Sequence, residues 1–242
     1  MTVPNSASKI GKHAFHDCRN LKSVTLPDIL TILPECSFWE CHSLESINIP
    51  KSVTHFGELA FCECHKLKHM TIPESVVCIA ERAFSESGIE RIDCFSPSFE
   101  VDNYALYTKG KQILIGLFNQ SVTHFNIPQS VIEIGDSAFS SCVNLKSINI
   151  PSSITKIGDY AFYDCREFTS IKIPNSVTTI GTYAFYGCEK LISICIPKSI
   201  RYIGEDAFWG CDNLISIIIS QGDIVRIKQM LPSDLHEKII EQ

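Results

Sequence analysis

The sequence predicts a solenoid, a stack of similar short coils, and three observations carry that prediction. Proline recurs with a 23-residue period, an apolar pattern repeats with it, and both resume after a single interruption. A fixed period of this length is typical of repeat architectures, in which each coil buries its apolar side chains against the neighbouring coils. The repeating prolines are Pro4, Pro27, Pro50, Pro73, Pro128, Pro151, Pro174 and Pro197, and Ser220 holds the next such position.

The composition fits a folded protein and excludes two classes of partner. Of 242 residues, 45% are hydrophobic and 20% charged, and the formal net charge is -6. No apolar run approaches the ~20 residues that cross a membrane, so we expect no membrane insertion. No repeat position is consistently Lys or Arg, so the basic stripe that nucleic acid requires is missing and we expect no nucleic-acid partner.

Each coil is predicted to contain one short strand. In the coil that begins at Pro174, Leu191, Ile194 and Ile196 fit the spacing L-x-x-I-x-I of a leucine-rich-repeat strand. Such strands stack at roughly 4.8 Å into one parallel sheet, and the next proline ends each strand because it has no N–H to donate. The predicted fold is a leucine-rich-repeat solenoid, a β-dominated α/β horseshoe of 23-residue repeats with its parallel sheet on the concave face.

The rest of the coil is predicted to carry the chain back. Val177 and Ile180 indicate a second short extended segment, and Gly181 suits a corner that needs either positive φ or close approach to a neighbour. The helical spacing within Ala184–Cys188 predicts a single helical turn. The phenylalanines of these turns are expected to form a column through the core: Phe15, Phe38, Phe61, Phe84, Phe139, Phe162, Phe185 and Phe208.

The repeated motif reads I-P-x-S-V-x-x-I-G-x-x-A-F-x-x-C-x-x-L-x-S-I-x-I. It recurs from Ile173 to Leu191 and from Ile196 to Leu214 with Pro, Gly, Ala-Phe and Cys in place. This pattern resembles the BspA-type leucine-rich repeats of bacterial and protozoan surface proteins, and the resemblance covers nearly the whole chain. It implies a curved, non-enzymatic binding scaffold, often an adhesin displayed outside the cell.

One insertion interrupts the register between Pro73 and Pro128, which lie two periods plus nine positions apart. Tyr104–Tyr107 and Ile113–Ile115 flank a Gly-containing turn, which predicts a protruding β-hairpin. We interpret it as a rigid brace between two blocks of coils; a contact loop is the alternative, since the segment carries Tyr104, Tyr107 and Phe118. The predicted domains are a single solenoid over 1–220, with the hairpin insertion at about 96–121, and a C-terminal helical cap over 221–242 that begins at Gly222-Asp223.

Seven of the twelve cysteines occupy one repeat position: Cys18, Cys41, Cys64, Cys142, Cys165, Cys188 and Cys211. Equivalent side chains of stacked coils point the same way, and parallel Cβ directions suit disulfide closure poorly. We therefore expect buried free thiols, which fit a reducing or anaerobic setting.

A zinc site is a competing interpretation of the run Cys62-Glu63-Cys64-His65. Stacking would bring Cys41 and His42 of the preceding coil beside it, so that nitrogen and sulfur donors converge as zinc requires. Cys64 is already explained by its column, however, and adjacent side chains usually point apart. We therefore predict no metal and no cofactor.

The outward positions of the strands are the predicted binding surface. Small polar residues there would suit a protein or glycoprotein ligand, although solvated strands need such side chains in any case. The predicted ligand-binding residues are Ser23, Ser46, Asn48, His69, Thr71, Ser147, Asn149, Ser170, Lys172 and Ser193. Toward the C-terminus this face becomes apolar at Ile192, Cys195, Ile215 and Ile218, and we expect the tail to cover that patch.

An aromatic ladder is predicted on the opposite side, with Tyr160 and Tyr183 in one column and Trp39, Tyr163, Tyr186 and Trp209 in another. It would stack sugar rings or serve only as packing between coils. No catalytic motif is present, and the carboxylates fall at variable repeat positions, so we predict a non-enzyme with no catalytic residues.

The leading functional hypothesis is an extracellular or cell-surface adhesin-type module, monomeric, that binds a protein or glycoprotein through its concave sheet. The alternative is a cytoplasmic protein–protein interaction scaffold, which would explain the free thiols and the absence of a signal peptide. Because the first coil begins at Pro4 without a cap, we expect the chain to be a fragment of a longer protein.

Overall fold

The computed structural model describes residues 1–242 and confirms a β-solenoid of 23-residue repeats with little helix. The strands are β1 Ser23–Thr25, β2 Ile32–Leu33, β3 Ser46–Asn48, β4 His55–Phe56, β5 His69–Ile72, β6 Cys78–Ile79, β7 Arg91–Cys94, β8 Phe99–Asp102, β9 Ala105–Thr108, β10 Ile113–Leu117, β11 His124–Asn126, β12 Glu133–Ile134, β13 Ser147–Asn149, β14 Lys156–Ile157, β15 Ser170–Lys172, β16 Thr179–Ile180, β17 Ser193–Cys195, β18 Tyr202–Ile203, β19 Ser216–Ile219 and β20 Ile239–Glu241. The helical segments are α1 Ile224–Lys228 and the 3₁₀ turns Lys109–Lys111 and Ser233–Lys238.

The chain divides into two compact units. The first comprises Met1–Gly110 and Ile115–Asn119, and the second comprises Lys111–Leu114 and Gln120–Gln242. The boundary therefore falls inside the segment that the sequence marks as an insertion.

The predicted leucine-rich-repeat strands are present in both units, and we call their outward side the polar strand face. In the first unit β1 pairs with β3 in parallel, with Ser23 opposite Ser46, and β5 pairs with β7. In the second unit β11 pairs with β13, and β15, β17 and β19 follow one another in register. Partners are offset by one full repeat except between β5 and β7, where His69 lies opposite Arg91. The coil that contains Gly88 is therefore one residue short.

The second extended segment of each coil also forms. β2, β4 and β6 pair in parallel in the first unit, as do β12, β14, β16 and β18 in the second. The corner glycine that follows serves close approach: a Cβ on Gly181 would lie 2.5 Å from the backbone nitrogen of Asp159. Its N–H donates to the carbonyl of Ile157 in the preceding coil at 2.9 Å.

The predicted single helical turns are wrong, because the return side consists of successive tight turns. In the segment 34–41, Cys36, Phe38 and Glu40 donate their backbone N–H groups to carbonyls of the next coil at 2.8 to 3.0 Å. The residues between them close turns within their own coil, and Cys36 and Glu40 have φ of 56° and 58°. Since the neighbouring coil satisfies every second N–H, the chain gains nothing from the i→i−4 bonds of a helix.

The phenylalanine column forms the core of each unit, as predicted. Consecutive rings lie nearly parallel, with centroids 5.1 to 5.9 Å apart in the first unit and 5.0 to 5.6 Å apart in the second. The column is Phe15, Phe38, Phe61 and Phe84 in the first unit and Phe139, Phe162, Phe185 and Phe208 in the second.

The cysteine column beside it consists of free thiols, as predicted, and all of them except the half-buried Cys18 are buried. Five of the seven donate from Sγ to a phenylalanine carbonyl of the preceding coil at 3.0 to 3.3 Å: Cys41, Cys64, Cys165, Cys188 and Cys211. Burial raises the pKa of the Cys41 and Cys142 thiols to about 12. These side chains are therefore neutral packing groups with one weak donor each.

Native thiol labelling should follow this burial. Iodoacetamide, which reacts with thiolates, should modify the exposed Cys78 first and Cys18, Cys94 and Cys195 more slowly, because these three are half-buried. The remaining eight cysteines are buried and should react only after denaturation, which mass spectrometry would detect as a rise toward twelve adducts. A Cys78→Ser variant should lose the fastest phase alone. Rapid native modification of all twelve thiols would contradict the buried column.

The insertion contains the predicted hairpin, because β9 and β10 are hydrogen-bonded neighbours on either side of the Gly110 turn, but it is less exposed than predicted. The sequence did not indicate the further strand β8, which pairs antiparallel with β9 around a two-residue turn at Asn103 and Tyr104, both with positive φ. The hairpin does not protrude freely, since Tyr107 is 1% exposed and Phe118 packs edge-on against Phe84. Of the three aromatic residues considered for a contact loop, only Tyr104 is exposed.

The C-terminal tail is not wholly helical. α1 and the 3₁₀ turn Ser233–Lys238 are short, and the chain then forms β20, which pairs in parallel with β19. Asp223 makes no side-chain cap; instead Glu241 Oε1 accepts the N–H groups of Gly222 and Ile224 at 3.0 and 3.1 Å. The tail also contributes buried apolar side chains, namely Ile227, Leu231 and Leu235.

Candidate functional site

The predicted binding face in the first unit is a row of short polar side chains on parallel strands. Ser23, Ser46 and Asn48 are exposed on β1 and β3, each beside its counterpart one coil away. This placement follows from the strand period of two, because Val24 and Ile47 between them face inward and leave the alternate residues outside.

Farther along the same unit the face is charged. On β5 and β7, His69 Nε2 lies 2.9 Å from Asp93 Oδ2, and the Arg91 guanidinium donates to Asp93 Oδ1 at 2.9 Å. The hydrogen bond from Arg91, followed by that from His69, lowers the pKa of the Asp93 carboxyl. Thr71, half-buried, lies opposite Asp93 in the register. This arrangement makes His69 part of an ion-pair cluster rather than an isolated polar contact.

The second unit again presents mostly short polar side chains, together with one lysine. Ser147 and Asn149 lie on β13, Ser170 and Lys172 on β15, and Ser193 on β17, all at outward positions of paired strands. Asn149, Ser170 and Lys172 are exposed, whereas Ser147 and Ser193 are half-buried.

The predicted site omitted four residues of this face on the two strands beside the insertion. Arg91 and Asp93 lie on β7, and His124 and Asn126 lie on β11, where they pair opposite Ser147 and Asn149. Both strands flank the break in register. The 23-residue period counted forward from His69 misses Arg91 by one residue, whereas the same period counted back from Ser147 reaches His124. Applying the same L-x-x-I-x-I spacing from Ile89 and Val122 locates them.

The apolar patch at the end of the face is not covered by the tail, contrary to expectation. Ile215 is 71% and Ile192 is 49% exposed, and together with Thr169, Lys190 and other residues they line a shallow depression of about 420 Å³. The tail instead extends the sheet through β20 and places Ile240 beside Ile218. The patch therefore continues onto the added strand.

The tyrosines of the predicted aromatic ladder lie together in the second unit. Tyr163 and Tyr186 stack with ring centroids 4.9 Å apart, and Tyr160 and Tyr183 lie 5.1 Å apart. With Asp206 and Trp209 these rings line an open groove of about 440 Å³. Because the tyrosine faces contact one another, the groove presents mainly ring edges, and the 63% exposed Trp209 offers the one largely free ring.

The donors of the considered zinc site do not converge as a Cys and His set. The Cys41 and Cys64 thiols are buried and directed at backbone carbonyls, and burial raises the pKa of both. His42 and His65 do stack, with ring centroids 4.9 Å apart, and they lie beside Glu63 instead. None of the helices in residues 1–242 has the length and apolar character to cross a membrane.

Stacked parallel coils, an open polar strand face and a core of repeated phenylalanines define a leucine-rich-repeat scaffold. The chain belongs to the BspA-type leucine-rich-repeat family: the model of the BspA type Leucine rich repeat region matches residues 1–112 and 116–231, in six copies. Proteins of this family are typically non-catalytic scaffolds. No curated protein matches the chain.

Solved structures of bacterial leucine-rich-repeat proteins are similar to this chain. One from Eubacterium ventriosum is 26% identical with a TM-score of 0.75, and the match covers 91% of this chain but 66% of that one, just under two thirds. A leucine rich cell surface protein from Faecalibacterium prausnitzii is 25% identical with a TM-score of 0.61, covering 95% and 80% of the two chains. The pneumococcal vaccine antigen PcpA, at 22% identity and a TM-score of 0.65 over 90% and 67%, shares the fold.

Proposed function

We propose that this chain is a non-enzymatic protein- or glycoprotein-binding module, displayed at a cell surface or secreted, that binds through its polar strand face. The observation that carries the proposal is the row of exposed, short polar side chains on parallel strands, such as Ser23 beside Ser46. The likeness to a bacterial cell-surface protein supports the location.

The polar strand face is one side of a parallel sheet. Such sheets are usually buried on both faces, and their strands are then apolar throughout. Over most of this sheet the inward face is apolar, while serine, threonine and asparagine predominate on the outer one. These side chains lose little rotamer entropy on binding and offer both donors and acceptors, so a broad polar partner can dock at low cost.

The chemistry of the remaining groups supports a non-enzymatic role. A catalytic cysteine requires a lowered pKa, whereas burial raises the pKa of the Cys41 and Cys142 thiols to about 12. Several carboxylates are held in ion pairs between neighbouring coils, such as Glu167 with Lys190 at 2.6 Å. Pairing of this kind favours a structural role for these groups.

A binding assay with two matched variants tests the proposal. The chain is applied to immobilised extracellular-matrix proteins and to a glycan panel, beside a Ser46→Arg, Ser147→Arg variant that obstructs one position of the face in each unit. We expect affinity to fall at least tenfold, or about 1.4 kcal/mol, with thermal stability unchanged. The control is Tyr163→Ala with Tyr186→Ala, which alters the aromatic groove and should leave binding intact. Loss of binding in the tyrosine variant alone would move the site to the groove.

The alternative is an intracellular protein–protein interaction scaffold, and the observation that favours it is the set of twelve free thiols. Surface biotinylation of intact cells that express the natural protein separates the two. Labelling of this protein supports surface display, whereas labelling only after lysis supports the intracellular scaffold.

A further inference from the structure

A second group of side chains, on the return side of the first unit, is not used by the proposed binding face. His42, Glu63 and His65 each offer one donor atom, and the three atoms all lie within 4.8 Å of one another. Coil stacking produces the cluster, because His42 and His65 hold the same position in successive repeats and their rings lie 13° from parallel.

Hydrogen bonds outside the cluster orient two of its members. Trp39 Nε1 donates to Glu63 Oε1 at 3.3 Å, which leaves Oε2 directed toward His42 Nε2 at 3.4 Å. His65 Nδ1 lies 3.1 Å from the carbonyl oxygen of Glu86. Since a carbonyl only accepts, this Nδ1 carries a proton, and in the neutral ring the lone pair is on Nε2. Outer hydrogen bonds of this kind fix the tautomer and orientation of metal-binding side chains.

We propose that His42, Glu63 and His65 bind a divalent transition-metal ion, for which Zn²⁺ is the best match. Two imidazole nitrogens and one carboxylate oxygen are ligands that zinc accepts, whereas Ca²⁺ and Mg²⁺ require mostly oxygen. Donors around a tetrahedral zinc ion lie roughly 3.3 Å apart, so side-chain rotation suffices to close the observed cluster. The His42 and Glu63 side chains are 32% and 30% exposed, which leaves a fourth position for water or a donor from a partner.

The charges around the cluster are compatible with a bound cation. Arg19 precedes His42 in the same repeat column, but it is held by Asp17 at 2.5 Å and by Glu40 at 3.4 Å. A simple ion pair between His42 and Glu63 would not involve His65, whose ring stacks on that of His42. A metal ion uses both histidines in their neutral form.

The other similar cluster, His13 with Glu35 and Cys36, lacks these features. Lys12 occupies the Glu35 carboxylate at 2.5 Å, and burial raises the pKa of the Cys36 thiol. Its carboxylate and thiol are therefore less available to a metal than the donor atoms of His42, Glu63 and His65.

Isothermal titration of the full chain with Zn²⁺ tests the proposal. We expect one site per chain, weakened at least tenfold by His65→Ala and by Glu63→Gln and unchanged by His55→Ala, which removes an exposed histidine of β4 in the same unit. Trp39→Phe, which removes the donor to Glu63 but no ligand, should weaken binding roughly tenfold. Coincident thermal melts without metal establish that each variant is folded.

Because the chain has twelve thiols, the ligand type needs an independent readout. Co²⁺ bound at this site should show visible d–d bands without the near-ultraviolet charge-transfer band of a cobalt–thiolate bond. Zn²⁺ affinity that is equal in the His65→Ala and parent chains, the absence of a stoichiometric site, or a thiolate band that persists in Glu63→Gln would each overturn the proposal. None of these outcomes depends on the proposed binding face.

Discussion

Replacing Phe185 by alanine is expected to reduce the free energy of unfolding by about 3–5 kcal/mol. The Phe185 ring is fully buried and lies between Phe162 and Phe208, with centroids 5.1 and 5.6 Å away and planes within 6°. Truncation removes the apolar area and leaves a cavity in the middle of the column. The neighbouring rings cannot collapse into it, because each is fixed by the backbone hydrogen bonds of its own coil. Urea denaturation followed by circular dichroism measures the loss.

The matched control is Trp209→Ala in the adjacent coil. Trp209 is larger than phenylalanine but mostly exposed, so its removal should cost less than about 1 kcal/mol. Equal losses in the two variants would show that ring size, and not burial within the column, determines stability, and the column would then not be the core of this unit.

The repeat period predicted the parts of the fold that depend on coil-to-coil equivalence. Strand positions, the phenylalanine column and the free thiols all follow from the fact that residues one repeat apart stack on one another. The same equivalence accounts for the register between β5 and β7, where one residue fewer in the coil that contains Gly88 places His69 opposite Arg91.

The wrong predictions arose where the spacing of residues within one coil was interpreted without the hydrogen bonds to the neighbouring coil. Ala184–Cys188 has helical spacing, yet Phe185 donates its N–H to Ala207 of the next coil at 2.8 Å, and the chain forms turns instead. Likewise β20 has no strand signal of its own, since a short segment after a polar stretch carries no period. It forms because Ile239 follows Ile217 by nearly one full repeat and can pair with it.

The candidate sites show the same contrast between features that repeat from coil to coil and features that depend on particular contacts. The polar row and the stacking of His42 on His65 were predictable because both follow the repeat, whereas the Asp93 cluster and the place of the Glu63 carboxylate require knowledge of which side chains turn toward each other. The zinc interpretation combined the two histidines with cysteines, which the column buries, and gave Glu63 no role as a ligand, although its carboxylate lies within 4.8 Å of a nitrogen of each histidine. Sequence spacing identified the coils that meet there but not the side chains that face outward.

Alanine at Gly204 is expected to destabilise the second unit by about 1–3 kcal/mol or more. A Cβ at this position would lie 2.2 Å from the backbone nitrogen of Thr182 and 2.5 Å from the carbonyl carbon of Gly181. Both atoms belong to the backbone of the preceding coil, so no side-chain rotation relieves the contact. The Gly204 N–H also donates to Ile180 at 2.8 Å, which holds the two coils together. The coil must therefore shift and weaken this pairing.

Gly11 provides a control of opposite sign. A Cβ added to Gly11 would have no atom of a more distant residue within 4 Å, and the φ of Gly11 lies outside the left-handed region. Gly11→Ala should therefore stabilise by about 0.4–1 kcal/mol, since alanine reduces the freedom of the unfolded chain and meets no obstacle in the folded one. Urea midpoints of the two variants test both directions at once. A gain at Gly204 as large as that at Gly11 would mean that the coils have room to separate, and that close approach is not why glycine occupies the corner.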